Sequence, residues 1–149
     1  MNRDERTEGA TPARLYATLV GGTLLVVGII GFFYSASFGS PGEVDPVFGI
    51  FDVNGWHNIV HILTGALGLL VAGYAAREYA LGLGVVYTIV AIWGFVIGDG
   101  DAILSIVPVN TEDNILHLVL GLTGLAAGAA TPADERRRSD RPETATRPT

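Results

Sequence analysis

The sequence predicts an all-α integral membrane protein: a four-helix bundle built from two tandem helical hairpins, with both termini cytoplasmic. Three observations carry that expectation. Charged residues bracket four long apolar runs, a 20-residue motif occurs twice at a fixed offset, and the basic residues collect at one side of the runs. The chain has 149 residues, a net charge of −6, 16% charged residues and a mean hydropathy of +0.42. Such a composition leaves too little polar surface for a water-soluble domain of this length. It also excludes a disordered chain. The absence of cysteine excludes a zinc ribbon or a disulfide scaffold. The acidic balance argues against nucleic acid as a partner.

No charge falls between Arg14 and Glu43, between Asp52 and Arg77, between Glu78 and Asp99, or between Asp113 and Asp134. Each gap holds an apolar run of about 20 residues, enough at ~1.5 Å per residue to cross a ~30 Å hydrocarbon core. Spans are expected near 15–34, 55–76, 79–98 and 111–130, within a transmembrane domain over 14–131. The first run stays apolar from Leu15 to Phe33. That exceeds the ~7–15 residues of a signal-peptide core, so it is kept as a helix. The arm 1–13 and the tail 132–149 are polar and rich in Pro, Thr and Arg, and are expected to be disordered.

Arginine sets the orientation. All nine basic residues are Arg, and all lie in the N-terminal arm, the turn at Arg77 or the C-terminal tail. The other two loops carry Glu43, Asp45, Asp52, Asp99, Asp101, Glu112 and Asp113 and no base. The positive-inside rule then places both termini in the cytoplasm of a multi-pass protein of the cytoplasmic membrane. Tyr16, Tyr74 and Tyr79 are expected near the inner boundary, Tyr34 and Trp56 near the outer one. The lipid bilayer is the first partner. Gly94–Gly98 and Gly124–Gly128 form G-x-x-x-G pairs suited to close helix contact, within the chain, in a homo-oligomer or with a membrane-complex partner.

The informative polar residues sit in the repeat. Residues 50–69 read IFDVNGWHNIVHILTGALGL and residues 106–125 read IVPVNTEDNILHLVLGLTGL, identical at nine of twenty positions at an offset of 56. Helices 1–2 and 3–4 are therefore tandem hairpins, parallel copies related by an axis along the membrane normal. Helices 1 and 3 show little similarity, so the duplication is inferred mainly from the second half of each copy. Asn54 and Asn110 are placed as N-caps of the second and fourth helices. Asp113 follows three residues later, where a carboxylate completes a capping box; the first copy has His57 there.

His57, His61, Gly65, Gly68 and Ala72 share one face of the second helix, and His117, Gly121, Gly124 and Gly128 one face of the fourth. Faces of small residues are where membrane helices approach closely, so the histidines point into the bundle. Asn58 and Asn114 sit on the flank. His57, His61, His117 and Asp113 form a candidate metal shell of three nitrogens and one carboxylate, suited to zinc or another borderline divalent ion. A hydrogen-bonded cluster joining helices 2 and 4, with a charge responsive to external pH, explains the same residues. Haem is a further alternative, with His61 and His117 as ligands. Asp99 and Asp101 flank Gly100 in an outer acidic turn, either solvated or an attractor of cations. Tyr87 and Trp93 read as packing and interface residues. No Cys nucleophile, Gly-x-Ser-x-Gly elbow, P-loop or dinucleotide fingerprint occurs, so no catalytic residue is named.

Two stretches resemble a known family: His57-Asn58-Ile59-Val60-His61 with Gly65 and Gly68-Leu69, and 107–118 from Val107 to Leu118 with Gly121. The family is that of small four-helix membrane proteins grouped as domain of unknown function 4383. The motif positions it shares are His57, Asn58, His61, Asn110, Asp113, Asn114 and His117. The resemblance covers about 15–130. It implies four spans and a retained first helix, and it brings no reaction. The expected function is that of a non-enzymatic membrane protein with an outer His/Asn/Asp cluster joining helices 2 and 4. The alternative is a metal- or haem-binding module, or a subunit of a membrane redox or transport complex.

Overall fold

Thr11 opens the first helix. Its hydroxyl accepts from the Arg14 backbone N–H, and Pro12 follows at a position where a missing N–H costs nothing. Helix α1 therefore starts at Pro12, ahead of the expected Leu15, and runs Pro12–Gly31. The structure, a computed structural model, describes residues 10–39 and 44–133. Most of the expected disordered arm and tail, the arginine run at 136–138 and Glu43 lie outside the described residues; of the arm, Pro12 and Ala13 belong to α1.

The remaining elements are β1 (Asp45–Val47), β2 (Phe51–Val53), α2 (Gly55–Val71), α3 (Ala76–Ile97), β3 (Ala102–Ile103), β4 (Val107–Pro108) and α4 (Thr111–Ala129). The four helices pack as two pairs, α1 with α2 and α3 with α4. Helix α2 ends five residues earlier than expected because the chain must reverse: Tyr74 and Ala75 both donate to the Val71 carbonyl, and α3 starts at once at Ala76. Arg77 and Glu78 lie in the first turn of α3, and the Arg77 guanidinium donates to the Thr131 carbonyl at the end of α4.

Each helical pair also holds a small β-hairpin that sequence reading missed. In β1–β2, Val47 pairs with Phe51, and in β3–β4, Ile103 pairs with Val107. Both turns use two successive residues with positive φ: Phe48 and Gly49, then Leu104 and Ser105. Those positions are again 56 apart. Two- and three-residue strands gave no periodic signal to read.

The duplication extends through α1 and α3 once the offset changes. Residues 12–31 and 75–94 match at eight of twenty positions at an offset of 63, including Ala13/Ala76, Arg14/Arg77, Tyr16/Tyr79, Gly21/Gly84 and Gly31/Gly94. The stretch from Gly31 to Asn54 is seven residues longer than the equivalent stretch from Gly94 to Asn110, which hides the match at 56. The hydrogen bonds follow the same symmetry. Tyr16 donates to the Leu120 carbonyl at 2.8 Å and Tyr79 to the Thr64 carbonyl at 3.0 Å, each crossing to the other repeat. These two tyrosines are buried with Ala13, Ala17, Ala76 and Ala80, within about a turn of the starts of α1 and α3. Tyr74 is exposed.

The distribution of side chains is inverted relative to a water-soluble domain. Phe33, Leu70 and Val96 are 85%, 73% and 78% exposed, while Asn54 and Asn58 are fully buried. Among the described residues two helices, α1 and α3, are long and apolar enough to cross a membrane. Sequence reading expected four. Helix α2 has only 17 residues, and α4 opens on the polar run Thr111-Glu112-Asp113-Asn114. Three of the four paired glycines serve contacts within the chain: Gly94 abuts Asn114, Gly124 faces Tyr16, and Gly128 faces Leu81, whereas Gly98 has open space around it and caps α3 with φ 90°.

Candidate metal centre

The site lies where α2 and α4 begin, beneath the two hairpins. Asn54 caps α2 by accepting from the His57 N–H at 2.9 Å, and Asn110 caps α4 by accepting from the Asp113 N–H at 2.9 Å. Each capping amide then crosses to the other repeat. Asn54 Nδ2 donates to the Ile106 carbonyl at 2.6 Å and Asn110 Nδ2 to the Ile50 carbonyl at 2.7 Å. The two helix starts are thereby tied to each other's hairpins, which fixes the histidines relative to one another.

His57, His61 and His117 come together as a buried constellation, with a ring nitrogen from each lying within 4.8 Å of the others. His57 and His61 are one turn apart on α2 and their Nε2 atoms are 3.2 Å apart. Two nitrogens ~2.05 Å from one tetrahedral ion lie about 3.3 Å from each other, so this pair already has a chelating separation. His57 Nδ1 is 3.0 Å from the Asp52 carbonyl. A carbonyl only accepts, so Nδ1 carries the proton and Nε2 is left with its lone pair. A carbonyl that accepts from the other ring nitrogen in this way is how metal-binding histidines are commonly oriented. His117 Nδ1 is buried without a hydrogen-bond partner.

Asp113 does not complete the capping box. Its Oδ2 instead accepts from the Asp52 N–H of the other repeat at 3.1 Å. The Asp52 carboxyl is pushed above its ordinary value chiefly by partial burial; the Asn110 amide opposes this, and the nearby charges of Asp99 and Glu112 add to it. Asp99 also has a local task, accepting from the Thr111 hydroxyl at the start of α4 at 2.9 Å. Asp101 is exposed in the turn before β3, and its backbone carbonyl accepts from the Val109 N–H.

The flanking asparagines pack into the helix pairs. Asn58 and Asn114 are buried against Gly31 and Gly94 of the partner helix, where any Cβ would collide with the amide. Asn58 Nδ2 donates to the Ser35 carbonyl at 2.8 Å, whereas neither end of the Asn114 amide has a partner.

Two cavities of about 110 Å³ flank the histidines. One is bounded by all three histidines with Val60, Val90, Ile103 and Val107. The other is bounded by His57, His61 and Asp113 with Leu116, Val27, Val47 and Phe51. The aliphatic walls are repeat equivalents: Val90 of Val27, Ile103 of Val47, Val107 of Phe51 and Val60 of Leu116. Tyr87, read from the sequence as a packing residue, lies on the first cavity with its ring 5.0 Å from that of His117. Its sequence signal was absent because its repeat equivalent is Leu24.

Comparison with known proteins adds one match. The family model described as Domain of unknown function (DUF4383) matches residues 14–130. No curated protein and no solved structure matches the chain.

Proposed function

The chain belongs to the DUF4383 family, whose description carries no activity, and from the site alone we propose that it is a metal-binding membrane module. His57, His61 and His117 supply the ligands. The observation that carries this reading is the buried, unpartnered Nδ1 of His117 beside the close His57–His61 nitrogen pair. A hydrogen-bonded lock between α2 and α4 leaves that nitrogen unsatisfied, which is costly in an apolar interior. An ion uses a lone pair from each ring. Imidazole suits zinc, copper, iron or nickel. An ion is favoured over haem because cavities of about 110 Å³ do not admit a macrocycle.

The module sits in the cytoplasmic membrane with both termini inside, and its role is ion binding without catalysis. Support comes from the arginine asymmetry and from the exposed Leu, Val, Ile and Phe over the helix surfaces. Elemental analysis of untagged protein in mild detergent tests the site. About one equivalent of zinc, copper or iron is expected; protein that stays metal-free after incubation with each ion refutes the reading. Membrane-impermeant maleimide tests the topology. Asp101→Cys should label in intact cells and Thr149→Cys only after lysis, and the reverse pattern overturns the orientation.

A further inference from the structure

Three histidines make an incomplete shell. Asp113, the fourth ligand expected from the sequence, lies outside the group formed by the three ring nitrogens, and its Oδ2 accepts from the Asp52 N–H. Three protein ligands with one open position is the composition of metal sites that bind an exogenous molecule, whereas structural sites are closed by four. What faces the open position is therefore decisive, and the cavity bounded by all three histidines answers it.

That cavity has a volume of about 110 Å³, and beside the histidines it is bounded by Val60, Val86, Val90, Ile103 and Val107 together with Thr64 and Tyr87. It is smaller than the ~150 Å³ that accommodates benzene. The Thr64 hydroxyl is committed to the Val60 and His61 carbonyls and the Tyr87 hydroxyl is a single partner, whereas a water molecule needs two to four. A charged ligand would lose its hydration without compensation. We propose that the ion held by His57, His61 and His117 binds a small, uncharged, apolar molecule of the dioxygen or carbon monoxide class at a coordination position open to this cavity. The symmetry-related cavity lacks His117 and carries Asp113 instead, so the ligand enters on the side of Tyr87. This inference rests on the metal reading above.

The test uses the full chain in detergent, loaded anaerobically with Cu(I), then exposed to carbon monoxide and followed by infrared spectroscopy. Retained copper with a single C–O stretching band at one per copper supports the proposal. Copper retained at one equivalent with no such band overturns it and leaves the metal reading standing. Failure to retain copper overturns the proposal, and the metal reading falls with it only if zinc and iron are not retained either. The variant V107F places in the second repeat the side chain that Phe51 provides at the equivalent position of the first. It should keep copper while weakening carbon monoxide binding about tenfold or more, and V90F should do the same from the opposite wall. V27F, in the other cavity, should bind carbon monoxide like the parent. Equal binding by V107F, V90F and the parent overturns the assignment of the cavity.

Discussion

His57 and Asp113 occupy equivalent positions in the two repeats, and both are held by a single peptide residue. The Asp52 carbonyl accepts from His57 Nδ1 at 3.0 Å, and the Asp52 N–H donates to Asp113 Oδ2 at 3.1 Å. One strand residue thus orients an imidazole on its own repeat and anchors a carboxylate on the other. The pair is where the duplication has diverged, and the divergence makes the cluster a three-histidine site on one side of the pseudo-axis. Asp52 performs both tasks through its backbone, which is why its side-chain identity did not reveal them.

Removing either α2 or α4 ligands should abolish ion retention. H61A and H117A are each expected to hold less than about a tenth of the parent's metal, since losing one of three ligands exceeds the ~10–100-fold cost of losing a second-shell partner. The same variants should lose the thermal stabilisation that saturating metal gives the parent, about 2.7 kcal/mol at a hundredfold excess over Kd. Elemental analysis and melting curves with and without added ion check both.

D113N separates a three-ligand site from the four-ligand set expected from sequence. Its amide oxygen still accepts from the Asp52 N–H, so the variant should fold and keep metal at the parent's stoichiometry. Loss of metal in D113N with an unchanged melting temperature in the metal-free protein would make Asp113 a ligand.

The cross-repeat tyrosines should behave alike. Y16F and Y79F each delete one hydrogen bond to a carbonyl of the other repeat, and each is expected to cost about 0.5–1.5 kcal/mol. Reversible unfolding in mixed micelles measures it, and a large effect at only one position would show that the two halves are not energetically equivalent.

The buried asparagines should not behave alike. Asn58 has a partner in the Ser35 carbonyl and Asn114 has none, so N58A is expected to destabilise by about 1 kcal/mol more than N114A. G94A drives a Cβ into the Asn114 amide and should cost about 1–3 kcal/mol. Adding N114A to G94A should restore most of that loss, measured as a double-mutant cycle.

Local and periodic properties were legible in the sequence. Arg14, Arg77 and the acids from Glu43 to Asp113 mark where helices begin and end because charges resist burial in an apolar phase. The nine matches between 50–69 and 106–125 exposed the helical pairs and put His57, His61 and His117 on inward faces. Boundaries were less legible: α2 stops at Val71 because a reversal consumes residues that hydropathy alone assigns to the helix.

Tertiary structure decided everything that depends on two distant segments meeting. It brought His117 against the α2 pair and sent Asp113 to Asp52. It also turned Asn58 and Asn114 into their helix interfaces and drew Tyr16 and Tyr79 inside. None of these follows from periodicity, because a repeat unit says which face is buried but not what it is buried against. That second choice belongs to the small residues, Gly31 and Gly94 among them, whose missing side chains let particular backbones approach and so select which polar groups come within reach of each other.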